Sequence, residues 1–233
     1  MAAEDTSEPV PIIGATGALG FGLALRLAQA GRPVVIGSRS AERGDEAAGR
    51  LRELVPDADA EGAVNEDAAR RGPIVFLTVP FRAQSENLNN LRDALEPGQI
   101  LVDCTVPTAA ALGGKASRTL GVWQGSAAQQ AQEIVPEGVT VIGALHTVSA
   151  EALRDPDASL DEDVLICGDR KADKARVARI VELVPGLRPV NAGSLEMARI
   201  VEQLTPLLIS INARYKAHAG IRITGLPPGD PWE

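Results

Sequence analysis

Apolar and polar positions alternate in blocks along this chain, and the period of each block predicts its conformation. Residues 10–13 form a short apolar run that ends in glycine. Residues 18–30 follow with Leu19, Leu23 and Leu27 on one helical stripe and Gly31 placed to stop it. Val34, Val35 and Ile36 read as a buried strand, and residues 41–54 as an amphipathic helix. Further strand-like runs fall at 74–79, 100–102, 139–145 and 164–167. Repeated strand–helix–strand spacing predicts an α/β fold, a Rossmann-type doubly wound and mainly parallel sheet with helices on both faces. Toward the end, Met197, Val201, Leu204, Leu208, Ile211 and Tyr215 repeat at helical spacing, with Pro206 inside the run. A stripe that long serves either packing within the chain or contact with a second copy, and Pro206 is expected to kink it.

The first strand turns into the first helix through Gly14-Ala15-Thr16-Gly17-Ala18-Leu19-Gly20. A bare backbone at Gly17 admits a pyrophosphate, Gly20 allows close helix–strand packing, and the helix N-terminus offers free N–H groups. Ala15 stands where the stricter motif has a glycine. Strand before, helix after and a second strand at the right distance make this a candidate dinucleotide turn. The second strand ends in Gly37-Ser38-Arg39, with Arg43 one helical turn on and no acid at the tip. An acid there would hold ribose hydroxyls, whereas Ser38, Arg39 and Arg43 suit a 2′-phosphate, which favours NADP over NAD.

Composition narrows the chemistry. The 233 residues carry 31 acids against 23 bases, net −8, which argues against nucleic acid or an anionic membrane as partner. Two cysteines and two histidines give no disulfide framework, and no metal site is expected. Cys104 and Cys167, each at a strand edge, read as packed small side chains. No apolar run reaches membrane-spanning length, and the acidic, polar start resembles neither a signal nor a transit peptide. The expectation is a cytoplasmic protein with polar tails at 1–9 and 226–233. The only tyrosine, Tyr215, is followed four residues later by Ala219, so the Tyr–Lys pair of a short-chain dehydrogenase is missing.

Several further motifs join the glycine turn and Gly37-Ser38-Arg39: Thr78-Val79-Pro80, Val106-Pro107, Ser126-Ala127-Ala128, Ala144-Leu145-His146-Thr147, Gly186-Leu187-Arg188-Pro189 and Glu202-Gln203-Leu204-Thr205-Pro206-Leu207. Over roughly residues 10–222 the sequence resembles the NADPH-dependent reductases of the deazaflavin coenzyme F420. That resemblance implies an NADP-binding domain at 10–149 and a smaller C-terminal α/β domain at 150–225 that completes the cleft and contributes a dimer contact. It implies that Thr16 to Leu19 (Gly17 and Ala18 between them) hold the pyrophosphate, within a cofactor-binding turn that runs from Gly14 to Gly20, and that Ser38, Arg39 and Arg43 hold the 2′-phosphate. Val79, Val106 and Ala150 would line the nicotinamide side. His146, Thr147, Val148 and Ala219 would border the deazaflavin. The implied reaction is reversible hydride transfer between NADPH and coenzyme F420; the stripe from Met197 to Tyr215 adds the expectation of a homodimer.

Ser149 stands where that family often has proline, residues 213–223 match poorly, and Trp123 has no counterpart. An NADP-dependent reductase of another acceptor (a flavin, a metal ion or an imine) and a non-enzymatic NADP sensor are the alternative readings. His146, at a strand end, is the best acid–base candidate, with roles open between proton donor, pocket wall and structural residue. His218 reads as a surface or hinge residue.

Overall fold

The computed structural model describes residues 8–227 and Trp232; the tails expected at 1–9 and 226–233 lie mostly outside the described residues. Eight strands form one sheet: β1 (Val10–Ile13), β2 (Val34–Ser38), β3 (Ala60–Val64), β4 (Ile74–Leu77), β5 (Ile100–Asp103), β6 (Thr140–Gly143), β7 (Glu162–Cys167) and β8 (Leu187–Gly193). Their order is β3-β2-β1-β4-β5-β6-β7-β8. Every neighbouring pair is parallel except β6 with β7, which meet antiparallel at Gly143 and Cys167. The chain winds outward from β1 to β3, then returns to β4 on the other side of β1. That reversal opens a crevice at the carboxyl ends of β1 and β4.

The helices are α1 (Ala18–Gln29), α2 (Ala41–Leu54), α3 (Asn65–Ala69), α4 (Gln84–Asn90), α5 (Ala127–Ile134), α6 (Ala150–Arg154), α7 (Lys171–Glu182) and α8 (Ala198–Tyr215). Strand side chains alternate between two cores, as the pleat requires. Ile12, Ile36, Phe76, Val102 and Ile142 meet Leu23 and Leu27 of α1, Leu51 of α2 and Val177 of α7. Ile13, Val35, Val75, Leu101 and Val141 meet Ala68 of α3, Leu88 of α4, Ala131 of α5 and Val201 of α8. The sheet with helices on both faces is the architecture expected from the alternating runs.

Boundaries shift where apolar character outlasts the ladder. The run at 74–79 is a strand only to Leu77, and that at 139–145 only from Thr140 to Gly143. The two edge strands, β3 and β8, lack a clean apolar signature. Residues of β3 are mostly half-exposed, and β8 carries Pro189, which an edge strand tolerates. No helix among the described residues is long and apolar enough to cross a membrane.

α8 runs unbroken through Pro206. Its stripe divides: Val201 is buried in the core against the sheet and Leu208 is buried beside the second cleft described below, whereas Met197 and Tyr215 at the two ends are exposed.

One polar clamp fixes the geometry beside α1. The Arg26 guanidinium, buried in the last turns of α1, donates to the carbonyls of Ala152, Leu153, Asp155, Pro156 and Ala158 at 2.6–3.5 Å. α1 and α6 cross so closely that a Cβ on Gly22 would stand 2.7 Å from Leu153 Cβ.

Candidate functional site

The glycine turn lies over the crevice. Gly14 has φ +78°, and a Cβ there would stand 2.6 Å from Val79 Cγ1. At Gly20 a Cβ would come within 2.3 Å of Thr78 Oγ1 and 2.7 Å of Ala15 Cα. Gly17 is different: a Cβ would meet only the Gly14 carbonyl, at 3.2 Å. As N-cap of α1 it supplies no side-chain cap, so the first N–H groups of the helix are left for a ligand.

A cleft of about 650 Å³ opens there. Gly14, Thr16, Gly17, Ser38, Arg39 and Val79 all line it, together with Asn65, Thr78, Arg82 and Asn87. Ser38 is buried and Arg39 exposed. Arg43 is exposed in the first turn of α2 and does not line this cleft. These groups fit an NADP molecule: an uncapped helix N-terminus for the pyrophosphate and a hydroxyl and guanidinium at the β2 tip for the phosphate.

A second cleft, of about 820 Å³, begins at the next residue, Ala18. His146, Thr147, Val148, Ala150 and Ala219 line it, with Thr205, Leu208 and Asn212 of α8 opposite. Its shape is set by local backbone devices. Leu145 takes a left-handed conformation, φ +64°, rare for a leucine, and turns residues 146–149 out of line with β6. Thr205 Oγ1 donates to the His146 carbonyl at 2.7 Å, and Asn212 Oδ1 accepts from the Ala219 amide at 2.8 Å. Leu19 and Gly20 lie in α1 behind both clefts. Val106, in the segment after β5, lines neither.

His146 is 4% exposed, and neither ring nitrogen has a hydrogen-bond partner. Burial lowers its pKa to about 4, with the Asp103 backbone opposing in part. The ring is therefore neutral at pH 7. His218 is exposed beside Ser149, at 3.4 Å from its hydroxyl. Cys104 and Cys167 are buried free thiols, and burial pushes both pKa values up, Cys167 to about 12.

A buried polar network joins residues of two of the quoted motifs, Ser126-Ala127-Ala128 and Glu202 to Leu207, to Gln84, Asp103 and Thr105. Gln84 Nε2 donates to Asp103 Oδ2, to Thr105 Oγ1 and to the Ala127 carbonyl. The Glu202 carboxylate accepts from the Ala127 and Ala128 amides at 2.9 and 3.1 Å, tying α8 to the start of α5. Burial raises Asp103 to about 6, against hydrogen bonds from Thr105 and Gln84 that lower it. Burial also raises Glu202 to about 8, opposed by the two amides and reinforced by Asp103. No group of three or more His, Cys, Asp or Glu placed to hold a metal ion occurs among the described residues.

Fold and glycine turn define a Rossmann-type dinucleotide-binding protein. The model of the family described as "NADP oxidoreductase coenzyme F420-dependent" matches residues 9–107. The F420-dependent NADP reductase of Methanothermobacter thermautotrophicus is 42% identical over 222 residues, covering 94% of this chain and 95% of that protein. The reductase of the same name from Methanocaldococcus jannaschii is 39% identical over 93% of this chain and 98% of its own length. The chain belongs to the F420-dependent NADP reductase family. The crystal structure of a candidate F420-dependent NADP reductase from Arthrobacter sp. FB24 superposes with a TM-score of 0.74 at 24% identity, over 94% of this chain and all of that one.

Proposed function

We propose that the protein transfers a hydride reversibly between NADPH and oxidised coenzyme F420. One observation carries this: Gly17 lines the first cleft and Ala18 the second, so the two clefts meet at the first turn of α1. A nucleotide and a flat acceptor in adjoining clefts are brought ring to ring, which is the main demand of hydride transfer. The two bound cofactors supply the hydride donor and acceptor, and the protein supplies orientation.

Gly14, Thr16, Gly17 and the free N–H groups of Ala18 and Leu19 receive the pyrophosphate. Ser38 and Arg39 take the 2′-phosphate, with Arg43 adding positive charge one helical turn away. Val79 belongs to the nicotinamide side and Ala150 to the wall of the second cleft; Val106, which lines neither cleft, takes no part in this reading. Thr147, Val148 and Ala219 form the acceptor wall. His146 is a neutral wall residue whose main chain is held by Thr205; the proton that accompanies the hydride comes from solvent. Residues 10–149 act as the NADP-binding unit and 150–225 as the unit that completes the acceptor cleft.

The working form is a cytoplasmic homodimer. Supporting this, Ile200, Leu204, Leu207, Ile211 and Tyr215 form a second stripe along α8, exposed or half-exposed. Two copies related by a two-fold axis bury such a stripe against itself.

The test is spectroscopic. Protein, NADPH and F420 are mixed and the deazaflavin absorbance is followed, with free flavin as a parallel acceptor. Bleaching of F420 is expected. Reduction of flavin with F420 untouched would overturn the acceptor assignment and leave the NADP assignment standing.

A further inference from the structure

The nucleotide cleft contains a guanidinium that the phosphate-binding motifs do not use. Arg82 sits in the 3-10 turn Phe81–Ala83 after β4 and lines the same cleft as Ser38 and Arg39. Arg39 follows β2, Arg82 follows β4, and β1 lies between those strands, so the two approach from opposite sides. Arg82 is exposed and has no ion pair or side-chain hydrogen bond among the described residues. Glu86, four residues on, lines the cleft too, yet makes no ion pair with it. A base preceding an acid is the weaker order for such a helical pair.

The adenine of a dinucleotide has two broad faces and one amino edge to satisfy. The chain has three Phe, two Trp and one Tyr, and none of them lines this cleft. A guanidinium is planar, weakly hydrated and stacks on aromatic faces, so it takes the place a ring would otherwise fill. Beneath this surface lies a buried amide pair. Asn65 is 6% exposed and donates through Nδ2 to Asn87 Oδ1 at 3.1 Å, while its own Oδ1 accepts nothing. That oxygen is itself buried against Gly37 of β2, so the amide pair braces the cleft wall and the stacking face carries the recognition.

Resting on the reading of this cleft as the NADP site, we propose that Arg82 is an adenine-recognition residue. Its guanidinium lies flat on the base, on the side away from Arg39, which is left to the 2′-phosphate. The role of Arg82 is therefore blind to that phosphate.

Calorimetric titration of the full chain with NADP+, NAD+ and nicotinamide mononucleotide tests this. Arg82→Ala is expected to weaken NADP+ and NAD+ by the same factor, about three- to tenfold, and to leave the mononucleotide unchanged. Arg82→Lys, which keeps the charge and loses the plane, is expected to stay close to Arg82→Ala. A loss confined to NADP+ would make Arg82 a phosphate ligand and overturn the proposal. So would unchanged binding, or full rescue by lysine. A wild-type chain that binds neither dinucleotide would instead remove the reading of the cleft beneath it.

Discussion

Gly14, Gly17 and Gly20 are evenly spaced, yet each answers a different demand. Gly14 needs a left-handed backbone beside Val79, Gly20 lets α1 touch Thr78 and Ala15, and Gly17 alone keeps space for a ligand. Gly17→Val is therefore expected to fold, as checked by circular dichroism, and to lose NADPH binding; tight binding by the folded variant would place the pyrophosphate elsewhere. Arg39→Ala is expected to weaken NADPH about ten- to a hundredfold, the worth of one charge-assisted contact, and to change NADH little. Equal loss for both would remove Arg39 from the 2′-phosphate. His146 gives a two-part expectation. A positioned general acid contributes roughly a hundred- to ten-thousandfold, so His146→Ala should cost less than about tenfold in kcat, without rescue at low pH. Its folded pKa of about 4 lies below the usual 6.5, so between those values the unfolded chain takes a proton the native chain refuses. Stability should thus fall by up to roughly 3 kcal/mol as pH drops from 6.5 to 4, and the variant should lose that dependence in pH-resolved denaturant melts. At this scale the sequence disclosed the turn and the cleft-lining positions of Ser38 and Arg39, because those residues lie close to their neighbours in the chain. It concealed Asn65, Arg82 and the link from Gln84 and Asp103 to the segment that Glu202 holds, because those side chains meet only after distant strands are brought side by side.

Elements hold the site through a few cross-links. Glu202 binds α8 to the first amides of α5, and Thr205 binds the same helix to the His146 carbonyl. Burial lifts Glu202 to about 8, so the native chain keeps a proton that the unfolded chain releases above its usual 4.5. The stability this proton confers is complete below pH 4.5 and drains away as pH rises toward 8. Glu202→Gln should flatten that fall in a series of thermal melts. Near pH 5 it should also lower stability by about 1 kcal/mol, since its amide accepts only one of the two N–H groups. A variant with the wild-type pH dependence would show that Glu202 is not the group concerned. Central strands were legible as apolar runs because they are buried on both faces. The edge strands β3 and β8 were not, since one side of each meets water and Pro189 interrupts the pattern.

Across the whole molecule, the exposed stripe on α8 is the feature that a lone chain leaves unsatisfied. Leu207, 55% exposed near the middle of that helix, is a sensitive probe. Wild-type protein is expected to scatter light as a dimer, and Leu207→Glu as a folded monomer near 24.3 kDa. A wild type that is already monomeric at dilute concentration would leave the stripe without this role. The sequence showed a helical stripe but not its division, because burial of Val201 depends on where α5 and the sheet lie.

The Arg26 clamp bears on how such a protein can change over time. Every group it grips between residues 152 and 158 is a main-chain carbonyl, which all twenty amino acids possess. The anchorage of that segment is therefore indifferent to most of the side chains it carries. The adjoining residues 146–151 border the second cleft, so this rim of the pocket can be rewritten by mutation while its mooring to the nucleotide-binding helix stays put. With that cleft assigned to the acceptor, as proposed above, acceptor preference becomes an exchangeable part, and a library randomised at Thr147, Val148 and Glu151 is expected to explore new acceptors from a scaffold that still folds and still takes NADPH.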